Sequence, residues 1–277
     1  GSGSPPSAAT SGWQIFACSR HVSAGANLVL DVCDRAQVQS VIGDIKPDMI
    51  LHLATTLSDN FAEAFAVNVE GARNLCDAIV ASNHPARLLL AGSAAEYGMV
   101  QPEQNPLGTN HPLQPVSLYG LTKAWQSMLG LYYAQSGVDV VVARIFNLDG
   151  PGLSEKLFSG RIRNQVAAIR LGKQGKFKVG SLEGVRVYVS LDVAATQILA
   201  IAEHGQSGKV YHVGSGKGIS MREFLVTYLT AEGLDFSIVE EASANSNRKG
   251  YDVPVIYADM TRTDALLASA GERRTKR

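Results

Sequence analysis

The sequence predicts an α/β protein: a doubly wound parallel sheet over residues 1–150 and a smaller lobe built mainly from residues 151–277. Three observations predict it. Between residue 13 and about 146, short apolar runs alternate with segments of helical spacing, the pattern of strands joined by crossover helices. Several of those runs are apolar throughout, as strands covered on both faces are. The chain has 277 residues, 45% of them hydrophobic and 18% charged, enough for one large core with a subsidiary lobe.

Taken in order, the run 13–18 reads as a buried strand and 27–30 as a second, closed by Asp31. Residues 36–45 carry Val38, Val41, Ile42 and Ile45 at helical spacing, and Pro47-Asp48 stops that helix. The run 49–54 is a buried strand. Residues 61–81 form a long helix with Phe65, Val69, Ala72, Leu75, Cys76 and Ile79 on its apolar stripe. A strand at 87–93, a loop rich in Pro, Gly, Asn and Gln at 99–115, a helix from Tyr119 to near Gly137 and a β-branched strand at 138–146 follow.

Beyond Asn147 the rhythm loosens. Helices are expected at 162–171, 192–204, 220–231 and 261–269, and strands at 177–179, 187–189, 209–213 and 236–239. Ser220 with Glu223 three residues on is a capping box. Residues 240–252 read as a polar loop and 271–277 as a solvated basic tail.

Net charge is zero, so no nucleic-acid partner is implied. No apolar stretch approaches the ~20 residues that cross a bilayer, and no secretory signal opens the chain. Cys18, Cys33 and Cys76 are odd in number and lack a CxxC pair. They predict no disulfide framework and no metal site, but buried thiols in a reducing cytoplasm.

Chemistry concentrates around Tyr119-Gly120-Leu121-Thr122-Lys123. A Tyr and a Lys four apart lie on one helix face. The ammonium can favour the phenolate, so that the phenol exchanges a proton with a substrate oxygen near neutral pH. A Tyr-x-x-x-Lys also arises by chance in a chain this long, and the surrounding motifs decide its meaning. They run in fixed order: His52-Leu53-Ala54 after a strand, Asn68 to Leu75 in a helix, and Ser93-Ala94-Ala95-Glu96-Tyr97-Gly98 after a strand. Then come Tyr119 and Lys123, Arg144-Ile145-Phe146-Asn147 to Pro151, Arg186 to Ala194, and Tyr211-His212-Val213-Gly214.

This series, spanning residues 13 to 267, resembles the extended short-chain dehydrogenase/reductases that act on nucleotide-sugars, the NAD-dependent epimerase/dehydratase family. The resemblance implies a Rossmann-type sheet and an NAD(P)-dependent oxidoreductase. It implies that Ser93 hydrogen-bonds the reacting oxygen, that Tyr119 is the general acid or base, and that Lys123 tunes Tyr119 and holds the nicotinamide ribose. Leu53, Ala54, Thr55 and Asn68 would line the cofactor channel together with His52, and Ser19, Arg20, Asp31 and Val32 would meet the adenosine end. Ala94, Ala95, Asn147 and Arg186 would face the nucleotide-diphosphate sugar, an Arg suiting a diphosphate through its planar fork. By resemblance alone, the helices at 61–81 and 118–133 would pair across a homodimer.

Departures from the family pattern sharpen the chemistry. Members that eliminate water carry one or two acids just after the Ser/Thr, where this chain has Ala94 and Ala95. Alanine can serve neither as acid nor as base, which favours hydride transfer or epimerisation. The segments 179–186 and 210–220 look most like reductases of GDP-4-keto-6-deoxymannose, and Tyr251 to Pro254 with Asp259 and Thr261 fit the same group more loosely. Ser19-Arg20 stands where an acid would select NAD, so NADP is the expected cofactor, with NAD as the alternative.

The family also opens with a strand and a G-x-x-G-x-x-G turn that cradles the pyrophosphate, and no stretch here matches both. Counting back from Gly12, Gly1-Ser2 would fall near the last glycine of that turn and Pro5-Pro6 early in the helix after it. Two readings stand open: a sequence incomplete relative to the natural protein, or a shortened homologue with impaired dinucleotide binding. The functional expectations are accordingly three: an NADPH-dependent reductase of a nucleotide-linked 4-keto-6-deoxyhexose, a nucleotide-sugar 4-epimerase retaining NAD, or a non-catalytic homologue that binds a nucleotide-sugar or a protein.

Overall fold

A computed structural model describes residues 12–22, 25–242 and 253–275, the side chains of 272–275 excepted. The readings placed on Gly1 to Pro6 and on Lys249 to Asp252 lie outside the described residues.

The centre is a four-stranded parallel sheet in the order β3 (Met49–His52), β4 (Arg87–Ser93), β5 (Val140–Ile145) and β9 (Val210–Val213). It follows a short ladder of β1 (Cys18–Ser19) with β2 (Leu28–Val29) and the helix α1 (Arg35–Ile45). Asp34 caps α1 through the Gln37 N–H, and Lys46 ends it in the left-handed conformation just before Pro47. The sheet strand β3 (Met49–His52) comes next. The long helix predicted at 61–81 is three pieces, α2 (Phe61–Phe65), one π-helical turn (Ala66–Glu70) and α3 (Gly71–Ser82). The strand β4 (Arg87–Ser93) pairs with β3 on one side and β5 (Val140–Ile145) on the other, with α4 (Leu118–Gln135) crossing between β4 and β5.

The apolar runs of β4 and β5 are continuous because helices cover both faces. Leu88, Leu90, Val140 and Val142 pack with α1, α3 and α4 residues such as Val38, Leu75 and Ile79. Leu89, Val141 and Ala143 point the other way, towards Ala194, Ile201 and Ala202. Those three belong to α6 (Leu191–His204), and β9 (Val210–Val213) completes the sheet, so the later chain returns to the first core.

The second lobe follows β6 (Asn147–Asp149), α5 (Phe158–Arg170), β7 (Phe177–Val179) and β8 (Val185–Ser190). It is completed by β10 (Gly218–Ser220), α7 (Met221–Ala231), β11 (Val239–Glu241) and β12 (Val255–Ile256), with α8 (Thr261–Thr275) last. The strand β8 is its hub, pairing with β6, β10 and β12. Its own core joins Ile162, Val166, Phe177, Leu182, Phe224 and Leu225. The Ser220–Glu223 capping box is present at the start of α7.

Five expectations are corrected. The run 13–18 is not a buried strand: only Cys18–Ser19 pairs, and Trp13, Ile15 and Phe16 are exposed. Likewise, β3 is not covered on both faces, since Leu51 and Leu53 are exposed. In both places the exposed side chains join none of the apolar cores, and among the described residues no strand pairs with the second edge of β1 or of β3. Two thiols are not buried; Cys18 and Cys33 are exposed and only Cys76 is enclosed. Finally, residues 236–238 form a 3-10 turn before β11, and the expected basic tail continues α8 to Thr275, with 276–277 outside the described residues. The strands β6, β10 and β12, of two or three residues each, carry too little periodicity to be read from sequence.

Candidate active site

The site grows from the carboxyl ends of β3 and β4 and the first turn of α4. Ser93 ends β4 and caps a 3-10 turn, Ala94–Glu96. Its hydroxyl accepts the Ala95 N–H at 3.2 Å, while the Glu96 carboxylate reaches back to accept the Ser93 N–H at 2.6 Å. Ser117 caps α4 by accepting the Gly120 N–H at 3.0 Å, which presents Tyr119 in the first turn and Lys123 one turn later. A Cβ on Gly120 would strike the Ala95 carbonyl oxygen, so this glycine lets α4 close on the Ser93 turn. Gly120→Ala is expected to cost about 1–3 kcal/mol of stability, read as a lower urea midpoint at unchanged slope.

The phenol of Tyr119 lies within electrostatic reach of the Ser93 and Thr55 hydroxyls. Burial holds it above its ordinary value, the Ser93 and Thr55 hydroxyls pull it down, and the Glu96 charge pushes it up. Lys123 is 1% exposed, and its ammonium donates to Gln126 Oε1 at 2.7 Å. Gln126 is held in turn by the Ala91 carbonyl at 3.1 Å. Burial lowers the Lys123 ammonium to about 8 against the opposing attraction of Glu96. The Lys123 ammonium is directed at Gln126, and the groups that favour the Tyr119 phenolate are the Ser93 and Thr55 hydroxyls.

The remaining expected residues divide. Leu53, Ala54 and Thr55 are exposed at the end of β3, as a channel wall requires. His52 is not part of that wall. It is 3% exposed, its Nε2 has no hydrogen-bond partner, and burial together with the Lys123 charge lowers it to about 3, so it stays neutral. Asn68 is wholly buried in the π-helical turn and also faces no channel. It binds Thr55, Thr56 and Thr122, locking the end of β3 to α4.

Ser19 ends β1 and the exposed Arg20 follows it, close enough to act electrostatically on Cys33, whose N–H donates to the Asp31 carboxylate at 2.9 Å. Val32 packs against Gly71. Ala94 and Ala95 are half-buried in the turn after Ser93. Asn147 opens β6, exposed, donating to the Val187 carbonyl at 3.1 Å. Arg186 lies in β8, opposite Ile219, and donates to the Val185 carbonyl at 2.9 Å.

Sequence reasoning missed the buried polar network behind Ser93. Glu96, 0% exposed, pairs with Arg144, 2% exposed, at 2.8 Å. Arg144 also donates to the Tyr97 hydroxyl at 2.9 Å, and Tyr97 meets His212 Nε2 at 2.5 Å. The Ser-x-x-Glu spacing of Ser93 and Glu96 was the available signal. Burial lowers His212 to about 4. Below its unfolded value of 6.5 the unfolded chain takes up a proton that the folded chain refuses, so stability falls as pH drops from 6.5 towards about 4. Thermal melts across that window should fall less steeply for His212→Asn than for the unmodified chain.

A cavity of about 280 Å3, bordered by His111, Leu131, Arg144, Lys209 and Arg262, lies elsewhere: none of Ser93, Tyr119 or Lys123 lines it. Among the described residues no cluster of His, Cys, Asp and Glu could hold a metal, and no helix is long and apolar enough to cross a membrane.

Comparison with known proteins places this geometry. The chain is 27% identical over 202 residues to GDP-6-deoxy-D-mannose reductase of Pseudomonas aeruginosa, covering 70% of this chain and 66% of the relative. It is 29% identical over 231 residues to dTDP-glucose 4,6-dehydratase of Streptomyces griseus, covering 80% of this chain and 66% of that protein. The chain thus spans just under two thirds of either relative. A solved structure of RMD from Pseudomonas aeruginosa complexed with NADPH superposes with a TM-score of 0.77 at 21% identity, covering 88% of this chain and 84% of that one. The profile of the GDP-mannose 4,6 dehydratase family matches residues 14–274. With the Ser93, Tyr119 and Lys123 motifs falling inside that match, the chain belongs to the GDP-mannose 4,6 dehydratase family of the extended short-chain dehydrogenase/reductases.

Proposed function

We propose that this chain is an NADPH-dependent reductase of the C4 ketone of a nucleotide-linked 4-keto-6-deoxyhexose, similar to GDP-4-keto-6-deoxymannose reductases. The observation that carries the reading is the turn after Ser93. A 4,6-dehydration needs an acid and a base there, and the turn offers Ala94, Ala95 and a Glu96 turned inward on Arg144 and the Ser93 N–H. Simple carbonyl reduction needs only a proton donor and an oxygen ligand, which Tyr119 and Ser93 supply.

The exposed edge formed by Leu53, Ala54 and Thr55 and the charge of Arg20 fit a dinucleotide laid across the carboxyl ends of parallel strands. Arg20 would meet the 2′-phosphate and Lys123 the nicotinamide ribose. When bound and reduced, the nicotinamide supplies the hydride that adds to C4. Tyr119 gives its phenolic proton to the forming O4 alkoxide, and Ser93 donates to the same oxygen. Asn147 and Arg186, on adjacent strands of the second lobe, would hold the sugar and its diphosphate. A homodimer through the α2–α3 and α4 helices belongs to the same proposal.

Purified protein with its natural N-terminus should bind NADP more tightly than NAD in calorimetric titration, and arrive without retained NAD. Arg20→Ala should weaken NADP about tenfold and leave NAD unchanged, one charge-assisted bond at an exposed site. Tightly retained NAD would favour the 4-epimerase, and binding of neither nucleotide would favour a non-catalytic homologue.

A further inference from the structure

Three cationic side chains from distant parts of the chain meet at a cavity that the Ser93 site does not use. The cavity, about 280 Å3, is bordered by Arg144 of β5, Lys209 just before β9 and Arg262 of α8, with His111 from the loop between β4 and α4. Gly208, at φ +72°, turns the chain towards β9 and donates to the Val140 carbonyl at 2.7 Å, which places Lys209. Arg262 is tied to β9 by a hydrogen bond from its Nη1 to the Val210 carbonyl at 2.8 Å. On the loop side, Arg144 donates to the Thr109 carbonyl at 3.4 Å, and the His111 ring packs edge-on to Tyr97 at 5.7 Å.

Among the described residues no carboxylate borders this cavity. Like charges gathered in this way repel one another unless something offsets them. Glu96 offsets Arg144 at 2.8 Å. Asp259, the acid that acts on Arg262, accepts from the N–H and hydroxyl of Thr261. The Lys209 ammonium has no hydrogen-bond or ion-pair partner among the described residues, and neither have Nε and Nη2 of Arg262. Three ammonium donors beside part of a planar guanidinium fork suit the oxygens of a phosphate. The volume lies just under the ~300–1,000 Å3 of pockets that take drug-sized ligands, so the cavity has room for a phosphate with a short organic part at most.

We propose that this cavity is a second anion site, which holds a phosphate dianion, free or as a small monoester, between Lys209 and Arg262. Arg144 adds its charge to the wall while keeping Glu96. A nucleic-acid backbone does not fit, because the positive charge is confined to one small cavity in a chain of zero net charge. The inference does not rest on the reductase reading: none of Ser93, Tyr119, Lys123, Asn147 or Arg186 lines the cavity.

The test adds glycerol 3-phosphate, and separately inorganic phosphate, to the full chain and follows the His111 ring by carbon-13-edited NMR. The His111 signal is assigned by its loss in His111→Asn. It should shift saturably. Lys209→Gln should weaken binding about tenfold or more, the value of one charge-assisted bond. The Lys209 side chain is exposed and without a partner, so this variant keeps the fold. Arg186→Gln, which alters the proposed substrate site, should leave the affinity unchanged. Inorganic phosphate binding as tightly as glycerol 3-phosphate would assign the site to the free ion, and tighter binding of the ester would assign it to a phosphorylated metabolite. A His111 signal that neither phosphate moves overturns the proposal. So does an affinity that Lys209→Gln leaves intact, or one that Arg186→Gln weakens as much as Lys209→Gln does.

Discussion

Tyr119→Phe is expected to lower turnover by about 10²–10⁴-fold, the span that positioned proton transfer contributes, while leaving the fold intact. The substitution removes one oxygen from a half-buried ring that already sits between Ser93 and Thr55. Both of those hydroxyls keep other partners, the Ala95 N–H for Ser93 and Asn68 for Thr55, so no group is stranded. The loss should appear in kcat, because the lost interaction is one that strengthens only as charge develops on the substrate oxygen. Far-UV circular dichroism and the urea midpoint should match the unmodified protein. Turnover within threefold of the unmodified chain would remove Tyr119 as the proton donor.

Glu96→Ala is expected to have the largest effect on stability, about 3–5 kcal/mol, because it leaves the Arg144 charge buried without its carboxylate. The Arg144 side chain is 3% exposed, and its guanidinium lies 4.6 Å from the Tyr97 ring centre. The same change frees the Ser93 N–H and loosens the turn that aims the Ser93 hydroxyl. Glu96→Gln keeps an acceptor for that N–H and loses only the charge, so it should retain more activity than Glu96→Ala at comparable stability loss. Urea unfolding followed by circular dichroism measures the first quantity and steady-state kinetics the second. A Glu96→Ala protein as stable as its parent would show that the pair contributes nothing to holding the site.

The elements that sequence made legible are those whose burial is set by their own apolar pattern. The strands β4 and β5 and the helices α1, α4, α6 and α7 fall where their spacing and caps place them. Ser93 and Tyr119, singled out by motif, do meet in space. What failed to show in the sequence depends on partners rather than on pattern. The run 13–18 is apolar, yet a strand is buried only where other elements cover its faces, and Trp13, Ile15 and Phe16 pack into none of the apolar cores. Asn68 and His52 were placed at a channel by their motifs, but the π-helical turn and the close approach of α4 enclose them. Glu96 follows the two alanines and has no catalytic role by motif. Its role as the buried counter-charge of Arg144 depends on a contact across 48 positions of chain that no local signal announces.

The central claim is that the Ser93–Tyr119 site guides a hydride from the nicotinamide to C4 of a keto-sugar. The most direct measurement supplies NADPH deuterated at the transferable position together with GDP-4-keto-6-deoxymannose and locates the label in the product. The account predicts deuterium at C4 of the reduced sugar, one label per NADPH oxidised, formed about 10²–10⁴-fold more slowly with Tyr119→Phe. A product carrying no deuterium while sugar stereochemistry changes, or no product although both ligands bind, would contradict it.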